Sequence, residues 1–239
     1  MTEFLHTLSY VILPLMFAVV LHEYAHGWVA HYYGDDTAKS LGRLTLNPIA
    51  HIDPVGTILI PMLLIFSSVG FIFGYAKPVP ISPGRLRNPR RDMALVAAAG
   101  PAMNFVLAVG STIVLSMLLI IDPTLQANWP PQSGLEPRQD LLGMFLLPIA
   151  AMAMFSIAIN TVLLAFNLLP IPPLDGGRIL VSILPSKSAL ALSKLEPYGM
   201  FLLLGLFMVD SQIPVISTFV GTVYSVITGH LFSLFVFDT

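Results

Sequence analysis

Two long stretches, Met93–Ile121 and Leu141–Leu169, contain no Asp, Glu, Lys or Arg. No other feature restricts the possible folds as much. A helix crosses the ~30 Å hydrocarbon core of a bilayer with about 20 apolar residues, and both stretches are long enough. Phe4–Tyr33, Val55–Phe73 and Tyr198–Phe237 are further candidates. The last can hold two short helices split near Asp210–Pro214. Val55–Phe73 is interrupted by Pro61 and Gly70. Charged residues make up only 10% of the 239 positions and hydrophobic residues 56%. Soluble domains carry about 25% and 45–50%, so a water-covered globule is excluded, as is a disordered chain. The net charge of −2 gives no reason to expect nucleic acid as a partner. The absence of cysteine excludes disulfides, thiolate metal ligands and a cysteine nucleophile. Residues 8–21 are apolar, but Met1–Thr7 has Glu3 and no Lys or Arg. The stretch therefore reads as a retained transmembrane helix rather than a signal peptide.

The basic residues report on topology. Lys39 and Arg43 fall in loop 34–54. Lys77, Arg85, Arg87, Arg90 and Arg91 fall in loop 74–92. Arg178, Lys187 and Lys194 fall in loop 170–197, and Arg138 alone lies in loop 122–140. The positive-inside rule puts the first three loops in the cytoplasm. Val55–Phe73 must then enter and leave on one side, as a re-entrant segment broken at Pro61, Ser67, Ser68 and Gly70. The expected fold is an all-α polytopic bundle of about five or six membrane segments. Small β-hairpin or edge-strand elements, Leu44–Leu46 and Pro78–Ile81, are expected near the cytoplasmic face. One integral membrane domain should cover residues 1–239.

His22-Glu23-Tyr24-Ala25-His26 is an H-E-x-x-H sequence. On a helix, positions i and i+4 share a face. Two imidazoles placed so can bind one Zn²⁺, and the adjacent Glu can act as general base toward water. Ionisable residues inside an apolar helix are expensive and mark function. A catalytic zinc has three protein ligands and an open position. Asp175 is the best third candidate, being the acid near the end of a long apolar helix, followed by Gly176 and Gly177. Its alternative role is helix N-cap for residues 176–184. The two groups can meet only if an even number of membrane crossings separates them, which again requires that Val55–Phe73 contribute none.

Three further residues carry two readings each. Asn167 can donate to a developing oxyanion or satisfy carbonyls freed by Pro170. Asn104 can cap or pack a helix or contact substrate. His51, with Asp53, can line the site's entrance or form a turn. Gly100 and Pro101 suit close packing at a helix start.

His22–His26, Gly100-Pro101-Ala102-Met103-Asn104 and Asn167…Pro170…Leu174-Asp175-Gly176 together resemble the signature set of the site-2 protease family of intramembrane zinc metalloproteases. The resemblance covers roughly residues 10–185, within a catalytic core of about 4–185. Membrane helices at about 197–238 follow. The resemblance implies an endopeptidase that cuts transmembrane segments of protein substrates within a lipid bilayer. It makes His22, His26 and Asp175 the ligands of one Zn²⁺ per chain and Glu23 the catalytic carboxylate. It gives Asn167 a role in substrate contact or oxyanion stabilisation. The chain is similar to a compact subgroup without a PDZ domain, which also contains Asn47–Pro54 and Ala76–Pro80. The expected location is a prokaryotic cytoplasmic membrane, with the site toward the cytoplasm. An inactive metal-binding scaffold and a metal transporter are the competing readings. A transporter needs ionisable residues in tandem across the bilayer, whereas here they gather toward one side.

Overall fold

A computed structural model describes residues 2–67, 74–122, 125, 141–210 and 212–236. Ser68, Gly70 and Arg138 lie outside them. Nine α-helices are present among the described residues: α1 Thr2–Tyr32, α2 Thr37–Ser40, α3 Ile60–Ser67, α4 Pro89–Ile121, α5 Leu141–Asn167, α6 Asp175–Ile183, α7 Ser186–Ser193, α8 Gly199–Asp210 and α9 Val215–Phe235. Among the described residues five helical stretches are long and apolar enough to cross a membrane: Tyr10–Tyr32, Pro89–Ile121, Phe145–Asn167, Ser186–Asp210 and Val215–Phe235. Phe17, Val106, Ile120, Phe145 and Phe201 stand exposed on them, as lipid-facing side chains do. The protein is an integral multi-pass membrane protein.

The chain divides into two compact units. One comprises Met1–Ala18, Pro101–Leu169 and Glu196–Thr239. Its core is Leu115, Leu118 and Leu125 with Ala150, Ala153 and Ile157, against which Phe232 of α9 packs. A buried polar ladder ties α4 to α5. Asn104 donates to Asn160 Oδ1 at 2.8 Å, and Asn160 donates to Ser156 O at 2.8 Å. Ser111 donates to Ser156 Oγ at 2.7 Å. Such side chains bind helices together where lipid offers no partners. Asn160→Leu removes the acceptor of the Asn104 amide and is expected to cost about 1–2 kcal/mol. Chemical unfolding in detergent micelles measures it, and an unchanged midpoint would show that the ladder carries no stability. The α8–α9 turn falls where the sequence places it. The Asp210 carboxylate accepts from Ile216 N at 2.6 Å and Ser217 N at 3.1 Å, satisfying orphan donors at the start of α9.

The other unit comprises Val19–Gly100 and Pro170–Leu195. Ala30, Leu86 and Val96 form its core with Val29, Tyr33, Ile81 and Met93. Helix α1 ends at Gly34, whose φ of 104° suits only glycine without strain. The excursion after residue 55 closes on itself. Tyr75 N donates to Gly56 O at 3.0 Å, and a Cβ on Gly56 would lie 2.4 Å from the Tyr75 ring. The described ends of the excursion, Gly56 and Tyr75, thus lie side by side.

Two expectations need correction. No β-strand is present among the described residues. Pro78 and Pro80 have no N–H to offer a ladder. Neighbouring backbone groups bind side chains instead: Arg43 binds Lys77 O at 2.9 Å and Pro78 O at 3.3 Å. Val79 N donates to Glu23 at 2.9 Å. At the other fragment, Thr45 O accepts from His51 Nε2 at 2.9 Å. The β-hairpin and edge strands of the expected fold are thus replaced by irregular chain held by side chains. Gly100 and Pro101 also lie well inside α4, not at its start.

Candidate metal centre

Helix α1 brings His22 and His26 to one face, with ring centroids 4.7 Å apart and nearly perpendicular. Both are buried. His26 Nδ1 lies 2.7 Å from Val96 O. A carbonyl only accepts, so Nδ1 carries the proton, and in the neutral ring Nε2 presents its lone pair. That lone pair points at His22 Nε2, 3.0 Å away.

Asp175 is the first residue of α6. Its side chain does not cap the helix; it turns toward the histidines. Oδ2 lies 3.2 Å from His22 Nε2 and 3.3 Å from His26 Nε2. The same oxygen is buried without a geometrically acceptable hydrogen bond. Burial works to raise the pKa of Asp175, but protonated His26 and His22 outweigh it through their charge and hydrogen bonds, so beside protonated imidazoles the carboxyl is held below its usual range. Among the described residues this is the group of His, Asp and Glu side chains able to hold a metal ion.

The donor set fits zinc. Two imidazoles and a carboxylate are ligands it takes, and a tetrahedral zinc with bonds of about 2.0–2.1 Å spaces its ligand atoms about 3.3 Å apart. The three separations match that spacing. Electron-rich atoms converging in a buried pocket are costly unless a cation lies among them. Gly100 forms the wall: a Cβ there would lie 2.3 Å from His26 Nε2 and 2.6 Å from His22 Nε2. Glu23, next to His22, is half-buried.

The chain matches the model of peptidase family M50 over residues 10–208. The chain belongs to peptidase family M50. This is the site-2 protease family. Family relatives include the "Putative zinc metalloprotease YwhC" of Bacillus subtilis. It is 37% identical over 203 residues, covering 85% of this chain and 82% of that one. The "Putative zinc metalloprotease Rip2" of Mycolicibacterium smegmatis is 30% identical over 190 residues, covering 79% of this chain and 62% of that one. The Rip2 of Mycobacterium tuberculosis is 28% identical over 198 residues, 83% of this chain and 66% of that one. No solved structure matches the chain.

Within this M50 chain the other sequence candidates have local partners of their own. Asn167 ends α5 and donates to Leu163 O at 3.0 Å. Asn104 is buried in the polar ladder. His51 is buried in the 3₁₀ turn Pro48–His51. Its Nδ1 has no hydrogen-bond partner among the described residues. Asp53 does not turn to His51; it caps Pro54–Leu59 through Val55 N and Gly56 N. Two participants escaped the sequence reading: the Val96 carbonyl that orients His26 and the Val79 N–H that binds Glu23. Both are backbone groups far along the chain, so no side-chain pattern marks them.

Proposed function

We propose that this M50 peptidase is an intramembrane zinc endopeptidase that cuts within or near transmembrane segments of protein substrates. The convergence of His22 Nε2, His26 Nε2 and Asp175 Oδ2 in a buried pocket beside Glu23 carries the reading. His22, His26 and Asp175 hold the ion. Bound zinc supplies Lewis-acid activation of water and of the scissile carbonyl. Glu23 removes a proton from the attacking water and passes it to the nitrogen of the breaking C–N bond. His26 lies six residues from the end of α1, or roughly 9 Å at about 1.5 Å per residue. Water therefore enters from the face bearing the basic loops, the cytoplasmic face. A substrate helix must unwind there, because its intact hydrogen bonds shield the peptide carbonyls.

The test is to measure zinc per chain and cleavage of a transmembrane peptide library together. The wild type and Glu23→Gln should hold about one zinc per chain, with cleavage lost only in Glu23→Gln. Asp175→Ala should lose both. A wild type without zinc, or a Glu23→Gln that still cuts, would favour a metal-binding scaffold. Cuts confined to soluble peptide ends would remove the intramembrane assignment.

A further inference from the structure

The extended segment 77–82 is held at four points inside the unit that carries the histidines. Lys77 N donates to His51 O at 2.9 Å. Arg43 Nη2 donates to the two consecutive carbonyls of Lys77 and Pro78, at 2.9 and 3.3 Å. Ser82 N donates to the buried carboxylate of Asp35 at 2.6 Å. Between these anchors Val79 N donates to Glu23 Oε2 at 2.9 Å. Proline has no N–H, and Pro78 and Pro80 flank Val79. The Pro-Val-Pro run thus presents one donor, and it is spent on Glu23. The Val79 side chain rests on α1 one turn beyond Glu23: a Cβ on Gly27 would meet Val79 Cγ1 at 3.0 Å.

Arg43 is itself placed by the local fold. Helix α2 is followed by Gly42, at a φ of 66°, and Arg43 N donates to Ala38 O at 2.8 Å. That turn directs the guanidinium across the segment, and Nε is buried without a partner of its own among the described residues. Among the described residues the guanidinium pairs with no acid; its hydrogen bonds go to backbone carbonyls next to Val79.

We propose that Arg43 is a positioning residue for Glu23, acting through the backbone of Lys77–Val79. This rests on Glu23 being the general base. The loop 43–53 then has a task beyond covering the helix: through Arg43 and His51 O it sets the height of the Val79 N–H over α1. The bond fixes one carboxylate oxygen and leaves the other to face the reacting water. Misplacement of a catalytic group by about 1 Å costs up to about 100-fold in rate, and it does so in kcat, since substrate binding does not involve the carboxylate. A lysine can reach the carbonyls but lacks the rigid fork, so it should restore part of the loss.

The experiment compares the wild type, Arg43→Gln, Arg43→Lys and Glu23→Gln as full chains in detergent. Zinc content, KM and kcat on a transmembrane peptide, and hydrogen exchange of the peptide covering residues 76–81 are measured. Arg43→Gln should keep its zinc and a KM within about twofold, and lose about 10–100-fold in kcat. Arg43→Lys should recover several-fold of that. Exchange at Val79 should quicken in Arg43→Gln and Glu23→Gln alike, zinc-loaded or stripped. If Arg43→Gln matches the wild type in kcat and in exchange while Glu23→Gln is dead, the positioning role is wrong and the base assignment stands. Loss of zinc in both Arg43 variants would make Arg43 a purely structural residue and also overturn the proposal. If Glu23→Gln still cuts, the base assignment falls; the exchange result alone then decides whether Arg43 holds the Val79–Glu23 contact.

Discussion

Gly100→Ala is expected to strip the protein of zinc while leaving its fold intact. The added methyl would sit 2.3 Å from His26 Nε2 and 2.6 Å from both Nε2 and Cε1 of His22. Carbon and nitrogen do not approach so closely, so at least one ring must swing away by about 1 Å. Metal sites tolerate errors of about 0.2 Å in ligand position. Zinc affinity should therefore fall by more than about 100-fold, beyond the range seen when only an outer partner of a ligand is lost. The apo fold should hardly notice. The clashing atoms are the far ends of two side chains, which can rotate, and alanine favours a helix interior by about 0.8–1 kcal/mol over glycine. Zinc added to the wild type should raise its unfolding temperature by mass action, and zinc added to the variant should not. A variant that binds zinc as the wild type does would show that Gly100 is not the wall of the site.

How much of this was legible in the sequence depends on how far apart the interacting groups lie along the chain. His22 and His26 are one helical turn apart, so their convergence follows from the period of an α-helix. The membrane helices follow from uncharged length. The expectation that 55–73 makes no net crossing follows from where ten of the eleven basic residues fall, and the Tyr75–Gly56 bond is compatible with it. Asp175 was legible as a candidate, but its other role, capping α6, has the same local pattern. Only the fold shows the carboxylate turned to His22 and His26. Segment 78–81 has the alternation of an edge strand, and that local signal misled. Its hydrogen bonds were claimed by Arg43 and Glu23, which are distant in sequence. The Val96 carbonyl on His26 is seventy residues away and belongs to a main-chain atom that every residue has.

Gly177→Ala should do what Gly100→Ala does not: lose zinc and weaken the fold together. Gly177 lies in the first turn of α6, two residues after Asp175. A Cβ there would meet Pro172 N at 2.4 Å, Ile171 C at 2.5 Å and Ile171 O at 2.8 Å. All three are backbone atoms, so no rotamer change relieves the contact. Either the 171–172 chain moves or α6 does. The chain is tied down by Leu174 N to Ile171 O at 2.9 Å, so the displacement is shared by the helix that carries Asp175. Overpacking of this kind costs about 1–3 kcal/mol, and the helical preference of alanine returns less than about 1 kcal/mol of it. The apo variant should unfold at lower denaturant than the apo wild type. Its zinc content should fall even where it is folded, because Oδ2 no longer reaches the imidazoles. Measured beside Gly100→Ala, the two losses separate a wall made of side-chain ends from one made of backbone. Wild-type apo stability in Gly177→Ala would mean that α6 approaches residues 171–172 less closely than the distances require.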